Sequence, residues 1–262
     1  MSDTVADRYL EVVQSVLEQI RGTQGPAIEA AAVICADAIA EGGLVHVFGS
    51  GHSRMIVEEI WPRYGSFPGF HPIVELSLTA HHQVTGANGQ RQAMFIERMP
   101  GLAAQILRNF HFGPHDALIA VSSGGTSVVT VELAEQLLAR GLPVIAITAR
   151  EHSLLSEPQA PSGKRLLDCA DVVLDTCTPV GDAAISIPGL VGPVGPTTTV
   201  AGAALANAVK TRVAELLVAR GAPPHVLASP LMVGAETSAR EFEAAYDEHG
   251  RRVSALYQHP RG

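Results

Sequence analysis

The stretch LIAVSSGGTSVVTVELAEQLLA, residues 118–139, decides the fold. Leu118-Ile119-Ala120-Val121 is an unbroken apolar run of strand length. Val128, Val131, Ala134, Leu137 and Leu138 recur at helical spacing and form the apolar stripe of a helix. Between them lie Ser122, Ser123, Gly124, Gly125, Thr126 and Ser127. The paired glycines let the chain turn sharply and let a ligand approach the backbone. Free N–H groups and the positive end of the helix dipole converge at such a helix start, which makes an anion site without a lysine. No Gly-Lys-Ser/Thr follows, so this is not a Walker loop. A plain helix cap would use one hydroxyl, and here there are four.

A second stretch has the same form. Leu44-Val45-His46-Val47-Phe48 reads as a strand, Gly49-Ser50-Gly51-His52-Ser53 as a turn, and residues 54–60 as the start of a helix. One glycine-rich turn is a weak signal. Two serine-rich strand-to-helix turns are a stronger one, because in a parallel sheet both emerge at the carboxyl ends of strands, where ligands bind. The dinucleotide fingerprint Gly-x-Gly-x-x-Gly is broken by Arg54, and no acidic residue is placed to hold a ribose. No cofactor is therefore expected.

The flanking chain alternates helices and strands. Val5, Tyr9, Val12, Val13, Val16, Leu17 and Ile20 make one helical face, opened by a capping box of Thr4 and Asp7 and ended at Gly22. Ile28, Ala31, Ala32, Cys35, Ala38 and Ile39 make a second, stopped by Gly42, so residues 1–42 form a helical hairpin. Further strands are expected over 72–76, 143–148 and 171–175. Helices are expected over 92–110, with Phe95 inward, over 164–170, from 197 to Gly221, and over 234–249. Residues 77–92 read as a loop folding over the site, 149–163 as a loop, and 176–196 as a long loop of the kind that is usually functional. The fold class is α/β, a three-layer αβα sandwich on a parallel sheet. The chain reads as a single domain over 1–262, with the hairpin (1–42), a core (43–220) and a C-terminal helical extension (221–262).

The totals bound the function. Apolar residues make up 47% of the 262 residues, enough for a substantial core. The formal charge of −8, with no basic cluster, argues against a nucleic-acid partner. No apolar run approaches a membrane span and no signal peptide is visible, so neither a membrane nor export is expected. The three cysteines show no zinc-ligand spacing; Cys35 and Cys169 read as core residues, in keeping with a reducing cytoplasm. Eleven histidines show no metal-binding spacing, and no metal is assigned.

With these residues in hand, the chain resembles a SIS (sugar isomerase) domain over about residues 35–220. It resembles more closely a bacterial SIS subfamily that also carries a helical hairpin, through GSGHSRM (49–55), Glu58-Glu59, Glu97-Arg98, SGKRL (162–166), DTCTPVGDA (175–183) and GPTTT (195–199). The resemblance implies a flavodoxin-like five-stranded parallel sheet and a phosphosugar ligand. It implies substrate contacts from Gly49, Ser50, Gly51, Ser53, Ser122, Ser123, Gly125, Thr126 and Ser127, while His52, inside the first loop, is placed either to contact substrate or to stiffen the turn by a hydrogen bond. It also implies a homodimer or homotetramer, and the apolar content of helices 5–39 and 197–219 points the same way. SIS domains usually carry Ser-x-Ser-Gly-x-Ser/Thr in the central loop. Aligned through Gly124, the first serine becomes Val121; aligned through Gly125, the middle serine becomes Gly124. Either way one phosphate-binding hydroxyl is missing. Residues 153–160 also lack a histidine found in similar proteins near this point.

The activity expected is aldose–ketose isomerisation of a phosphosugar. It moves a proton between adjacent carbons through an enediol and needs a general base and help in opening the ring. The resemblance points to a carboxylate shortly after the first loop, hence Glu58 or Glu59. Adjacent helical residues diverge by about 100°, so at most one faces a cleft. Their plainer roles are ion pairs with Arg54 and Arg63. Glu97 is a further candidate, and its plainer role is an arginine pair. His82, beside His81 in the expected lid, is a candidate for ring opening, or else simply solvated. Asp175 and Asp182 read as turn-forming and capping residues. A non-catalytic phosphosugar sensor is the alternative, as is a lyase, etherase or deglycase on the same site.

Overall fold

Both faces of the central strands are apolar, and both are covered. The computed structural model describes residues 4–78 and 89–258. Strands β1 (Val45–Gly49), β2 (Phe70–Ile73), β3 (Ala117–Val121), β4 (Val144–Thr148) and β5 (Val172–Asp175) form one parallel sheet in the order β2-β1-β3-β4-β5. In chain order the longer described helices are α1 (Val5–Thr23), α2 (Gly25–Ala40), α3 (Arg54–Ile60), α4 (Gly89–Ile96), α5 (Leu102–Leu107), α6 (Val128–Ala139), α7 (Arg150–Leu155), α8 (Thr198–Ala219) and α9 (Ala235–Ser254).

Alternation along the strands sorts the core into two layers. Val45, Val47, Ile119, Ile145 and Ile147 face Val16 of α1, Cys35 of α2, Ile56 of α3 and Leu205 and Val209 of α8. Phe48, Leu118, Ala120, Val144 and Ala146 face Ile106 of α5 and Leu133, Ala134 and Leu137 of α6. This is the expected three-layer sandwich. The N-terminal hairpin is present, and its capping box closes as read: Thr4 Oγ1 accepts from the Asp7 N–H at 3.1 Å, and Asp7 Oδ2 accepts from the Thr4 N–H at 3.0 Å. Among the described residues no helix is long and apolar enough to cross a membrane.

Several local expectations are corrected. Gly22 lies inside α1, which runs on to Thr23. The helix expected over 92–110 is two helices, α4 and α5, because Pro100 bars the α region to the residue before it. Phe95, expected inward, is 67% exposed. The loop expected over 149–163 contains α7, and the helix expected over 164–170 is a 3-10 turn, Leu166–Cys169. The apolar stripe of α8 is spent inside the chain, with Ala201, Leu205, Val209, Val213 and Leu217 packed among α1, α2 and α3. The expected lid falls largely outside the described residues, and His81 and His82 with it.

The amino edge of the sheet holds a buried polar network. Asp116 accepts the N–H groups of Leu44 at 2.8 Å and Gly113 at 2.7 Å, and lies 3.1 Å from Nε2 of His46. His46 Nδ1 lies 3.0 Å from Nδ1 of His71. With Nε2–H given to the carboxylate, a neutral His46 accepts at Nδ1 from His71. All three side chains are buried. Burial, and then the neighbouring His46, push His71 down to about 3. Burial works to raise Asp116, but the hydrogen bonds from His46 and the Leu44 N–H outweigh it and hold the carboxyl below its usual range.

Candidate functional site

The strand order places the site. In a sheet ordered 2-1-3-4-5 the winding reverses between β1 and β3, and the loops leaving their carboxyl ends diverge to open a crevice. Those loops are 49–53 and 122–127, the two serine-rich turns. They and the break between α4 and α5 enclose a cavity of about 300 Å³. Ser50, Gly51, His52, Ser53, Ser122, Ser123, Gly124, Thr126 and Ser127 line it, with Ala93, Met94, Glu97, Arg98 and Gln159.

Close backbone packing shapes both turns. A Cβ on Gly49 would lie 2.8 Å from the carbonyl oxygen of Ser53, so the first loop can fold back on itself only around glycine. Gly125 has φ +65°, and a Cβ there would meet Ser153 Oγ at 2.5 Å. That hydroxyl is buried and has no hydrogen-bond partner among the described residues. The same helix, α7, brings Nε2 of His152 to 3.5 Å from the Cβ position of Gly124. His152 Nδ1 accepts from the N–H of Gly181 at 3.1 Å, which leaves the proton of a neutral ring on Nε2.

Glu97 is the carboxylate that the fold delivers to this cavity. It follows α4, its carbonyl accepts the N–H of Val129 at 3.1 Å, and its Oε2 accepts from Ser50 Oγ at 2.8 Å. Ser50 Oγ lies 3.5 Å from Ser127 Oγ at the start of α6, so one polar line runs from the carboxylate through both loops. Glu58 and Glu59 are not among the described residues lining the cavity. Glu58 is half-exposed and pairs with Arg54 at 3.6 Å. Glu59 accepts from Asn207 Nδ2 at 2.8 Å and pairs with Arg63. Partial burial works to raise Glu59, but these bonds outweigh it and lower its carboxyl.

Beyond Ser123 lies a recess of about 50 Å³ lined by His52, Ser53, Thr176, Asp182, Thr198 and others. Ser123 Oγ is 3.2 Å from Thr198 Oγ1. Asp182 Oδ1 accepts the N–H groups of Thr197 at 2.9 Å and Thr198 at 2.8 Å, and so caps α8. Asp175 Oδ1 accepts the Cys177 N–H at 3.0 Å, a turn-forming bond. Among the described residues no three His, Cys, Asp or Glu side chains converge as a metal site. Thr198, His152, Arg98 and Gln159 are not among the site residues that the sequence offered. Glu97-Arg98 and GPTTT stood out as motifs, but the first marked a candidate carboxylate with an arginine beside it and the second a helix start, not a neighbour of Ser123.

The fold and the paired loops define a SIS domain, and residues 8–149 match the family model of that name. The chain belongs to the SIS domain family. It is 34% identical to a UPF0309 protein of Halalkalibacterium halodurans over 87% of this chain and 92% of that one. It is 32% identical to a UPF0309 protein of Streptomyces griseus, over 87% and 90%. Among solved structures, the phosphoheptose isomerase of Francisella tularensis superposes with a TM-score of 0.52 at 16% identity, covering 82% of this chain and 99% of that one. The phosphoheptose isomerase of Neisseria gonorrhoeae gives 0.50 at 14%, covering 80% and 96%. At such identities the likeness is one of fold.

Proposed function

We propose that this chain binds a phosphosugar between loops 49–53 and 122–127 and isomerises it, aldose to ketose, with Glu97 as the base. The observation that carries the reading is Glu97 Oε2 held at 2.8 Å by Ser50 Oγ, inside the cavity that both loops line. The SIS family membership supports the phosphosugar, and the fold shared with two phosphoheptose isomerases fits the reaction. The phosphate sits against the hydroxyls and free N–H groups of 122–127, at the start of α6. With the sugar open, Glu97 Oε1 takes the proton from the carbon beside the carbonyl. The electrons move onto the carbonyl oxygen to give the enediolate, the proton of the neighbouring hydroxyl passes to that oxygen, and the same carboxyl returns its proton to the former carbonyl carbon as the new carbonyl forms. Ser50 fixes the carboxylate's orientation without consuming both oxygens. The resemblance to SIS domains supports a homodimer or homotetramer, although the stripe of α8 packs within the chain, and the cysteine pattern fits a reducing cytoplasm.

A thermal-shift screen of sugar phosphates, each paired with its unphosphorylated sugar, tests the binding. Ligand at about a hundredfold its Kd adds roughly 2.7 kcal/mol of stability. Stabilisation by phosphorylated sugars alone is the expected outcome, and none across the panel refutes the reading. Hits are then incubated in D2O. Deuterium entering next to the carbonyl supports the isomerase. Binding without exchange makes the protein a sensor, and exchange with loss of a substituent makes it a lyase. Light scattering at micromolar concentration should give at least a dimer, and a monomer would refute that part.

A further inference from the structure

The cavity poses an electrostatic problem that its hydroxyls do not solve. Its proposed occupant carries a phosphate dianion, and the Glu97 carboxylate lines the same space. Ser50 bridges the two, 2.8 Å from Glu97 and 3.5 Å from Ser127 at the start of α6. A phosphate against the central loop therefore lies within a few ångströms of a second anion. Backbone N–H groups carry only partial charges, and several here are already spent. The Gly125 N–H donates to Ser122, that of Val129 to Glu97, and that of Val131 to Ser127.

Arg98 is the only lysine or arginine among the described residues lining the cavity. Arg54, which follows the first loop, and Lys164 and Arg165, beside Leu166 whose N–H bonds the Gly125 carbonyl, are committed elsewhere. Arg54 pairs with Glu58 at 3.6 Å, Lys164 with Glu135 at 3.5 Å, and Arg165 Nε donates to the Ser156 carbonyl at 3.0 Å. Arg98 follows Glu97 directly, at the break between α4 and α5, and its guanidinium has no hydrogen bond or ion pair with a described residue. We propose that Arg98 is the counter-ion of the substrate phosphate, binding it as a planar fork and screening it from Glu97. The cavity then selects phosphorylated over unphosphorylated sugars by charge. Arg98 also supplies what the central loop lacks, since one hydroxyl of the family pattern is missing there. This assignment rests on the phosphosugar reading and adds the residue that enforces it.

Titration with inorganic phosphate, read by calorimetry, tests the assignment. Arg98→Gln should weaken phosphate binding at least about tenfold, and Arg98→Lys less, since the charge stays and the fork is lost. The ligand-free melting temperature of each variant should match the wild type. Part of the loss should be recovered in the double variant Arg98→Gln with Glu97→Gln, where the opposing charge is also gone. A purely structural arginine would instead lower the ligand-free melting temperature. Equal phosphate affinity in wild type and Arg98→Gln overturns the proposal. If wild type binds neither phosphate nor any sugar phosphate, the phosphosugar reading itself falls. If wild type binds and Arg98→Gln binds equally, only the arginine assignment falls.

Discussion

The two ends of the sheet are both rich in polar side chains and use them in opposite ways. At the amino edge, Asp116, His46 and His71 are buried, and the network turns inward on itself and on two backbone N–H groups. At the carboxyl edge, Ser50, Ser122, Ser123, Ser127, Glu97 and Arg98 line an open cavity and keep bonding capacity in reserve. Both ends carry an acid beside a hydrogen-bonding neighbour. Residue type therefore does not distinguish a structural cluster from the one proposed to be reactive. What distinguishes them is how much of the hydrogen-bonding capacity is already spent.

The largest effect should come from the carboxyl edge. Glu97→Gln keeps an acceptor for Ser50 and removes the base, so deuterium exchange should fall about a thousandfold, near 4 kcal/mol of barrier, with the melting temperature unchanged. A variant that exchanges at the wild-type rate would move the base elsewhere. Next, Asp116→Ala orphans three donors at the amino edge, two of them buried. It should cost about 3 kcal/mol and lower the melting temperature by about 8 °C, with ligand affinity intact. A loss of affinity without a loss of stability would collapse the contrast between the ends.

The third prediction concerns pH. His71 stays neutral in the fold down to about 3, whereas its unfolded value is near 6.5. The unfolded chain therefore binds the extra proton first as pH falls. The stabilising preference is complete above about 6.5 and is lost progressively toward 3. His71→Asn offers an amide that donates to His46 and takes up no proton. Between pH 6.5 and 4.5 the wild type should lose about 2.5 kcal/mol more than this variant, measured by urea unfolding. Parallel pH profiles would show that His71 does not titrate as described. The smallest effect is expected at Glu58→Gln, which removes a half-exposed pair. It should cost under about 0.5 kcal/mol and leave exchange within about threefold of wild type. A collapse of exchange there would bring Glu58 to the substrate.

The layers were legible because period-2 and period-3.6 patterns report burial directly. The apolar runs at 44–48 and 118–121 gave two central strands to within a residue, and the serine-rich turns after them gave the loops that flank the crevice. What escaped depends on contacts distant in sequence. Nothing near Ser123 says that Thr198, 75 residues away, meets it. Nothing near His46 says that Asp116, 70 residues on, holds it. Pro100 did signal a break, but the apolar residues on both sides of it form one continuous pattern, and that pattern hid the position of Glu97. Its place beside Ser50 emerges only once α4 and α5 part.

The hydrogen bond from the Val129 N–H to the carbonyl of Glu97 carries an evolutionary consequence. It is the backbone at position 97 that docks on α6, whereas the side chain touches only Ser50 among the hydrogen bonds described. On the proposed reading, architecture and reactivity fall to different atoms of one residue. A descendant that needed to detect its ligand and not transform it could lose the carboxylate in a single codon change and keep the whole receptor. Enzyme and sensor would then be neighbours in sequence space, one step apart.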